Sequence, residues 1–292
     1  MSEHRPALEH IQAYADHLRL EEKSAATVEK YLRDVRAFAR WLEGREITKE
    51  RTAAWKTHLV ERGYAPASVN AMLSALNSLL DFLGFGDCRV KFLKVQRRMF
   101  RDDSRDLTRS DYNALTAAAK AQNKTRLALL MEAICATGIR VSEVQYITVE
   151  AARAGRAEVA LKGKIRTILI PSKLCRKLLK YAKQQKTASG EIFLTRNGTP
   201  LSRRQIWAEM KGLCKTAGVA ASKVFPHNLR HLFAAAFYRA SRDIVKLADV
   251  LGHSSLETTR IYLLTSGAEH QRQLDRLGLV SHYLLYRPYK ER

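Results

Sequence analysis

A mainly α-helical protein of two domains, with a small β-hairpin in the second, is what the 292-residue sequence predicts. Three observations carry that expectation. Apolar residues recur at three- and four-residue spacing through most of the chain, the period of an amphipathic helix. A basic, acid-free stretch interrupts that pattern near residue 90, and one pair of short β-rich runs flanks a Lys-Gly-Lys tip. With 46% hydrophobic and 27% charged residues, the chain is long and apolar enough for two domains with real cores.

Residues 7–18 form the first helical candidate. Ser24 can cap a second helix in which Val28, Tyr31, Leu32, Val35, Phe38, Ala39 and Leu42 recur at helical spacing before Gly44. Thr48 opens a shorter helix through Trp55 and Leu59 that stops at Gly63. Near Pro66 a fourth begins, with Val69, Met72, Leu73, Leu76, Leu79, Leu80 and Leu83 on one stripe before Gly84. Four short amphipathic helices with tight connections make a small bundle, assigned to residues 1–88. Arg89, Lys91, Lys94, Arg97, Arg98 and Arg101 then follow without an acid among them, before Asp102, Asp103 and Asp106. Residues 89–106 read as an interdomain linker, either a solvated connector or a strap that touches a polyanion.

Thr108 and Asp111 have the spacing of a capping box and open the second domain, assigned to residues 107–267. Helices are expected at 109–121 and 124–136, with Gly138 ending the second. Residues 156–161 and 165–170 pair as a hairpin around Lys162-Gly163-Lys164, giving a cationic tip. Beyond Pro171, helices are expected at 172–186, 202–216, 227–240, 243–251 and 256–264. A tail at 268–292 carries Leu274, Leu277, Leu279, Val280, Leu284 and Leu285.

Charge narrows the function. Lys+Arg number 51 against 29 Asp+Glu, a net +22 at pH 7, and the pI is about 10.1. A field of that sign attracts polyanions, which makes nucleic acid the expected partner. Cys88, Cys135, Cys175 and Cys214 are scattered without metal-ligand spacing and read as buried or idle thiols in a reducing compartment. The start of the chain lacks the apolar core of a signal peptide, and its most apolar stretch, 127–136, is too short to span a bilayer. A cytoplasmic, nucleoid-associated protein is expected.

Common catalytic signatures are absent: there is no phosphate-cradling GxxxxGK[ST] loop, no GxSxG elbow and no carboxylate cluster suited to paired Mg²⁺. In Pro226-His227-Asn228-Leu229-Arg230-His231, a helix starting at Pro226 puts His227, Arg230 and His231 on one cationic face. Two histidines at i, i+4 have zinc-ligand spacing. A guanidinium on the same face repels a dication, however, and the general-base Glu of HExxH is missing. A bound phosphate fits better, because arginine presents a planar fork to phosphate oxygens. Alone, each of Arg140, His253 and Tyr262 would pass for a surface, capping or core residue.

Four segments in order, TGIRVSE around Arg140, HNLRH around His227 and Arg230, LGHSS at His253 and TTRIY at Tyr262, resemble the boxes of the tyrosine recombinase (phage integrase) family. The resemblance covers most of the chain. It implies a helical core DNA-binding domain, a mixed α+β catalytic domain and no added arm-binding module, as in Xer-like and transposon-integrase members. It further implies a site-specific recombinase acting on double-stranded DNA as a homotetramer, with the tail docking on a neighbouring protomer and accessory bending or directionality factors as possible partners.

The residues suit that chemistry. Opening a phosphodiester requires a nucleophile, an acid for the leaving 5′-oxygen and positive charge for the crowded transition state. Tyr262 can attack to form a 3′-phosphotyrosyl bond, while Arg140 and Arg230 bind the non-bridging oxygens, so no cofactor or metal is implied. His253 donates to a non-bridging oxygen, and His227 assists proton transfer. Glu143 can orient a guanidinium or a histidine, and His231 either supports the phosphate site or packs on its helix. The family carries its acid, a lysine, on the hairpin in a GKGxKxR-like run. Here the run is Leu161-Lys162-Gly163-Lys164-Ile165-Arg166, lacking the leading glycine, and Lys162 fits that place better than Lys164. Lys91, Lys94, Arg97, Arg98, Arg101, Lys164 and Arg166 are the DNA-contacting candidates. Two rivals use the same features: a type IB topoisomerase-like swivelase, and a DNA-binding architectural or regulatory protein without turnover.

Overall fold

The computed structural model describes residues 8–95, 103–161, 164–262 and 267–279. Lys162, Arg97, Arg98 and Arg101 lie outside the described residues, as does most of the Leu-rich tail beyond 279. The chain divides into two units, Met1–Arg97 and Arg98–Arg292.

Among its described residues the first unit has four α-helices: α1 (Leu8–Leu20), α2 (Ala25–Leu42), α3 (Lys49–Glu61) and α4 (Pro66–Phe82). Each start has a local cause. The Ser24 hydroxyl accepts from the Thr27 N–H at 3.3 Å and that of Thr48 from the Arg51 N–H at 3.3 Å, while Pro66 supplies a preset φ at the head of α4. α4 is buried on two sides. Leu73, Leu76 and Leu80 pack with Phe38, Trp55 and Leu59, whereas Ala75 and Leu79 pack with Tyr14, Leu18 and Val35. The expected linker begins differently from a free connector. The Asn77 side chain donates to the Val90 carbonyl at 3.0 Å and accepts from its N–H at 2.9 Å, and Asn70 does the same for Leu93 at 3.0 and 2.8 Å. These two amides hold residues 89–95 along α4, because carboxamides present the donor-acceptor pair that an extended backbone needs.

The second unit contains α5 (Arg109–Ala121), α6 (Thr125–Thr137), α7 (Val149–Ala154), β1 (Arg156–Leu161), β2 (Lys164–Leu169), α8 (Ser172–Gln184), α9 (Arg203–Lys211), α10 (Cys214–Ala217), α11 (Pro226–Ser241), α12 (Ile244–Leu251), α13 (Leu256–Arg260) and α14 (Gly267–Arg276). The Thr108–Asp111 capping box forms in both directions, each bond 3.0 Å. α6 is the core helix: Leu127, Leu130, Met131, Ala133 and Ile134 are all buried. β1 and β2 pair antiparallel with Val159 opposite Arg166 and Ala157 opposite Ile168, so Ala157, Val159 and Ile168 face the core while Ile165 and Leu169 face outward.

Two expectations change. The helix expected over 202–216 breaks at Gly212 and Leu213 into α9 and the one-turn α10, since glycine gives the helix little to continue with. A short 3₁₀ segment over Val141–Tyr146 and the helix α7 follow Gly138 where no helix is expected; Thr148 caps α7, accepting from Ala151 N–H at 3.1 Å, and Gly155 closes it. Among the described residues no helix is long and apolar enough to cross a membrane.

Candidate active site

The site assembles where α6, α11, α12 and α13 end or begin. α6 closes at Gly138, whose φ of +66° is left-handed, and a Cβ there would meet the Phe233 ring of α11 at 2.3 Å. This close approach sets Arg140 beside α11. The Arg140 backbone N–H donates to Glu143 Oε2 at 2.8 Å and its Nη1 donates to Oε1 at 2.9 Å. Glu143 is 1% exposed, so one buried carboxylate fixes both the backbone and the fork of a half-exposed arginine.

Arg230 lies one turn into α11 and is 2% exposed. Its Nη1 donates to the Gly138 carbonyl, and its Nη2 donates to the Leu251 carbonyl at 2.8 Å and contacts His253 Nε2 at 2.9 Å. Arginine has only donors, so His253 Nε2 accepts and Nδ1 carries the ring proton, which it donates to Thr259 Oγ1 at 2.9 Å. Burial, followed by Arg230, Arg140, Arg166 and His227, pushes the His253 pKa down to about 4, which keeps the ring neutral. Burial likewise pulls Arg230 below the ordinary guanidinium range, opposed by its hydrogen bond to the Tyr262 hydroxyl.

Tyr262 lies two residues beyond the short α13 and is 6% exposed. Its ring lies 4.3 Å from that of His231, 6.2 Å from that of His227 and stacked 5.7 Å from that of His253. The exposed His227 meets His231 at 4.6 Å. Asn228, buried between them in sequence, donates to the carbonyls of Arg105 and Lys223 at 2.7 and 2.8 Å and so pins the first turn of α11.

Arg140, Glu143, His227, Arg230, His231, His253 and Tyr262 are thus brought into one cluster. Lys91 and Lys94 are exposed on the strap of the first unit, and Lys164 pairs with Leu161 at the turn end of the hairpin. Arg166, expected among the DNA-contacting cations, turns inward instead. It shares the core-facing parity of Ile168, its side chain is 12% exposed, its Nη1 donates to the Leu251 carbonyl and its Nη2 lies 3.3 Å from Glu143 Oε2. Sequence reasoning misses Thr259, Asn228 and the Leu251 carbonyl. The first two lie inside the TTRIY and HNLRH boxes, but nothing in spacing alone marks an unexposed threonine as the partner of a histidine six residues away.

The arrangement sets a phenolic oxygen beside two guanidiniums and three histidines. The model of the phage integrase family matches residues 105–268, and that of the phage integrase N-terminal SAM-like domain matches residues 11–84. The chain belongs to the phage integrase family. It is 30% identical over 282 residues to tyrosine recombinase XerA of Thermococcus kodakarensis, covering 94% of this chain and 95% of that protein. In fold it resembles a lambda integrase dimer bound to a COC′ core site (TM-score 0.69, 20% identity, 88% and 94% of the two chains). It also resembles a lambda integrase tetramer bound to a Holliday junction (0.68, 21%, 87% and 76%). Within the family the chain is a tyrosine recombinase, an enzyme of site-specific recombination.

Proposed function

We propose that the protein cleaves and rejoins duplex DNA through a 3′-phosphotyrosyl intermediate on Tyr262, acting as a homotetramer on paired recombination sites. The observation that carries this reading is the gathering of the Tyr262 ring, Arg230 and His253 at one spot, with Arg140 beside them. The Tyr262 oxygen attacks phosphorus, the bond to the 5′-oxygen breaks, and the leaving oxygen takes a proton from the hairpin lysine, Lys162 in preference to Lys164. The phenolic proton passes to the His227–His231 pair. Arg140 and Arg230 hold the non-bridging oxygens and supply the charge the transition state needs. Attack by a 5′-hydroxyl on the phosphotyrosyl bond reverses these steps and releases Tyr262. His253 must become a donor at Nε2 to serve the phosphate, and an incoming anion promotes this by raising its affinity for a proton.

Integration and excision of a mobile element is the finer reading, and resolution of chromosome dimers is the alternative that the four boxes fit equally. Nicked duplexes tiled across the DNA flanking the gene, incubated without divalent metal, test both. A covalent adduct in the wild type that is missing in Tyr262→Phe establishes the nucleophile, and adducts mapping to the two ends of an element establish the substrate. Binding without any adduct favours the architectural rival instead.

A further inference from the structure

We propose that Arg166 is a positioning residue of the phosphate site: it neutralises Glu143 and holds the Leu251-Gly252-His253 turn, so that Arg140, Arg230 and His253 present their charge and donors together. The inference rests on the reading of Tyr262 as a nucleophile at phosphorus.

Parity on the hairpin is the first observation. Arg166 stands opposite Val159 on the face where Ala157 and Ile168 are buried. A guanidinium there loses hydration and persists only if protein groups replace the water. Two do. Nη1 donates to the Leu251 carbonyl, the same oxygen that accepts from Arg230 Nη2 at 2.8 Å. Nη2 lies 3.3 Å from Glu143 Oε2, on the carboxylate that holds Arg140.

Gly252 is the second observation. Its φ is +63°, and a Cβ there would meet Arg166 Cδ at 2.1 Å and Nη1 at 2.8 Å. The arginine stem therefore lies against the backbone of the turn that leads into His253, and only glycine leaves room for it. Burial pulls the Arg166 pKa down to about 10 while Glu143 holds it up, so the side chain remains a cation at neutral pH.

Charge balance gives the contact its purpose. Glu143 alone would set a buried negative charge close to where an anionic phosphate must bind, cancelling Arg140. With Arg166 beside the carboxylate, three guanidiniums face one acid and two positive charges remain. The pentacoordinate species formed when a phenolate attacks a phosphodiester monoanion carries two negative charges. Arg166 serves that match without touching DNA, through Glu143 and through the Leu251 carbonyl.

The test is a cycle of Arg166→Met, Glu143→Gln and the double variant in the full chain. Adduct formation on a nicked duplex is read beside DNA binding and thermal melting. Arg166→Met is expected to bind DNA within about threefold of wild type and to form adduct on the order of 10²-fold more slowly. Adding Glu143→Gln should recover about tenfold of that loss, because the unpaired carboxylate is gone. A substrate with sulfur at the 5′-bridging position, which departs without an acid, should not rescue Arg166→Met. Wild-type cleavage by Arg166→Met, losses that simply multiply in the double variant, or rescue by the bridging sulfur would each overturn the proposal. Should Arg166→Met not fold, Arg166→Lys carries the same comparison, with an expected loss of about tenfold that again fails to multiply with Glu143→Gln. No adduct in the wild type would instead overturn the reading of Tyr262, and this inference with it.

Discussion

Arg230 is 2% exposed, and its Nη groups reach two backbone carbonyls and His253. A lysine at this position would retain the charge but could satisfy only part of that geometry and would leave buried acceptors unmet. Arg230→Lys is therefore expected to retain DNA binding and to slow covalent adduct formation by about 10²–10³-fold, the loss typical of a removed transition-state donor. Cleavage at the wild-type rate would remove Arg230 from the phosphate site. His253 gives a second prediction at this scale. Unfolded, its imidazole titrates at its ordinary value of 6.5, and folded it titrates at about 4. Between those values the unfolded chain binds the additional proton, so the stability this neutral ring provides is whole above pH 6.5 and is lost as the pH falls toward 4. Thermal melting of the DNA-free protein should accordingly fall more steeply from pH 7 to pH 4.5 in the wild type than in His253→Asn. Parallel curves would mean that the ring is not held neutral.

The contact between the end of α6 and α11 decides where two of the charged groups stand. Gly138 combines a left-handed φ with a Cβ-sized space already filled by the Phe233 ring, and its carbonyl accepts from Arg230. Gly138→Ala must both strain the backbone and displace Phe233, an expected loss of about 2–4 kcal/mol in urea unfolding. Adduct formation should fall with it even where the variant is folded, because Arg140 and Arg230 are referenced to the same turn; undisturbed stability would mean that Phe233 moves aside freely. Much of this framework is legible in the sequence, because helix caps are local chemistry. Ser24, Thr48 and the Thr108–Asp111 box act within four residues, and Gly138 ends its helix where a Cβ has no room. The cluster around Tyr262 is legible for a different reason, since its boxes keep their order. What is not legible is pairing across long sequence distances. Arg166 passes for one more surface cation until its parity with Ile168 is set against Glu143 and Leu251, 23 and 85 residues away. Residues 89–95 look like free linker because their hydrogen-bonding partners, Asn70 and Asn77, sit among the apolar residues of α4.

At the scale of the molecule, the net +22 is unevenly divided. The first unit, Met1–Arg97, holds 16 Lys and Arg against 13 Asp and Glu, while Arg98–Arg292 holds 35 against 16, so the second unit carries most of the positive charge. Arg230 and most of Arg166 are buried in the cluster around Tyr262, but most of the cations lie at the surface, where they gain little stability from one another and repel. Such a surface has its use when a polyanion displaces the counterions it would otherwise hold. Each phosphate neutralised contributes a slope of about −0.9 in log K against log[salt], so a clamp making roughly six or more contacts should lose about 10³-fold or more in affinity between 50 and 200 mM salt. Lys91 and Lys94 extend the expectation to the first unit. They are exposed on a strap whose backbone is already fixed by Asn70 and Asn77, so little ordering is left to oppose binding. Replacing both with glutamine should reduce the slope by about two and weaken binding to specific and unrelated duplexes alike, because phosphate contacts carry no sequence information. An unchanged slope would confine the DNA contacts to the second unit, whereas a loss confined to specific sites would mean that the strap reads bases.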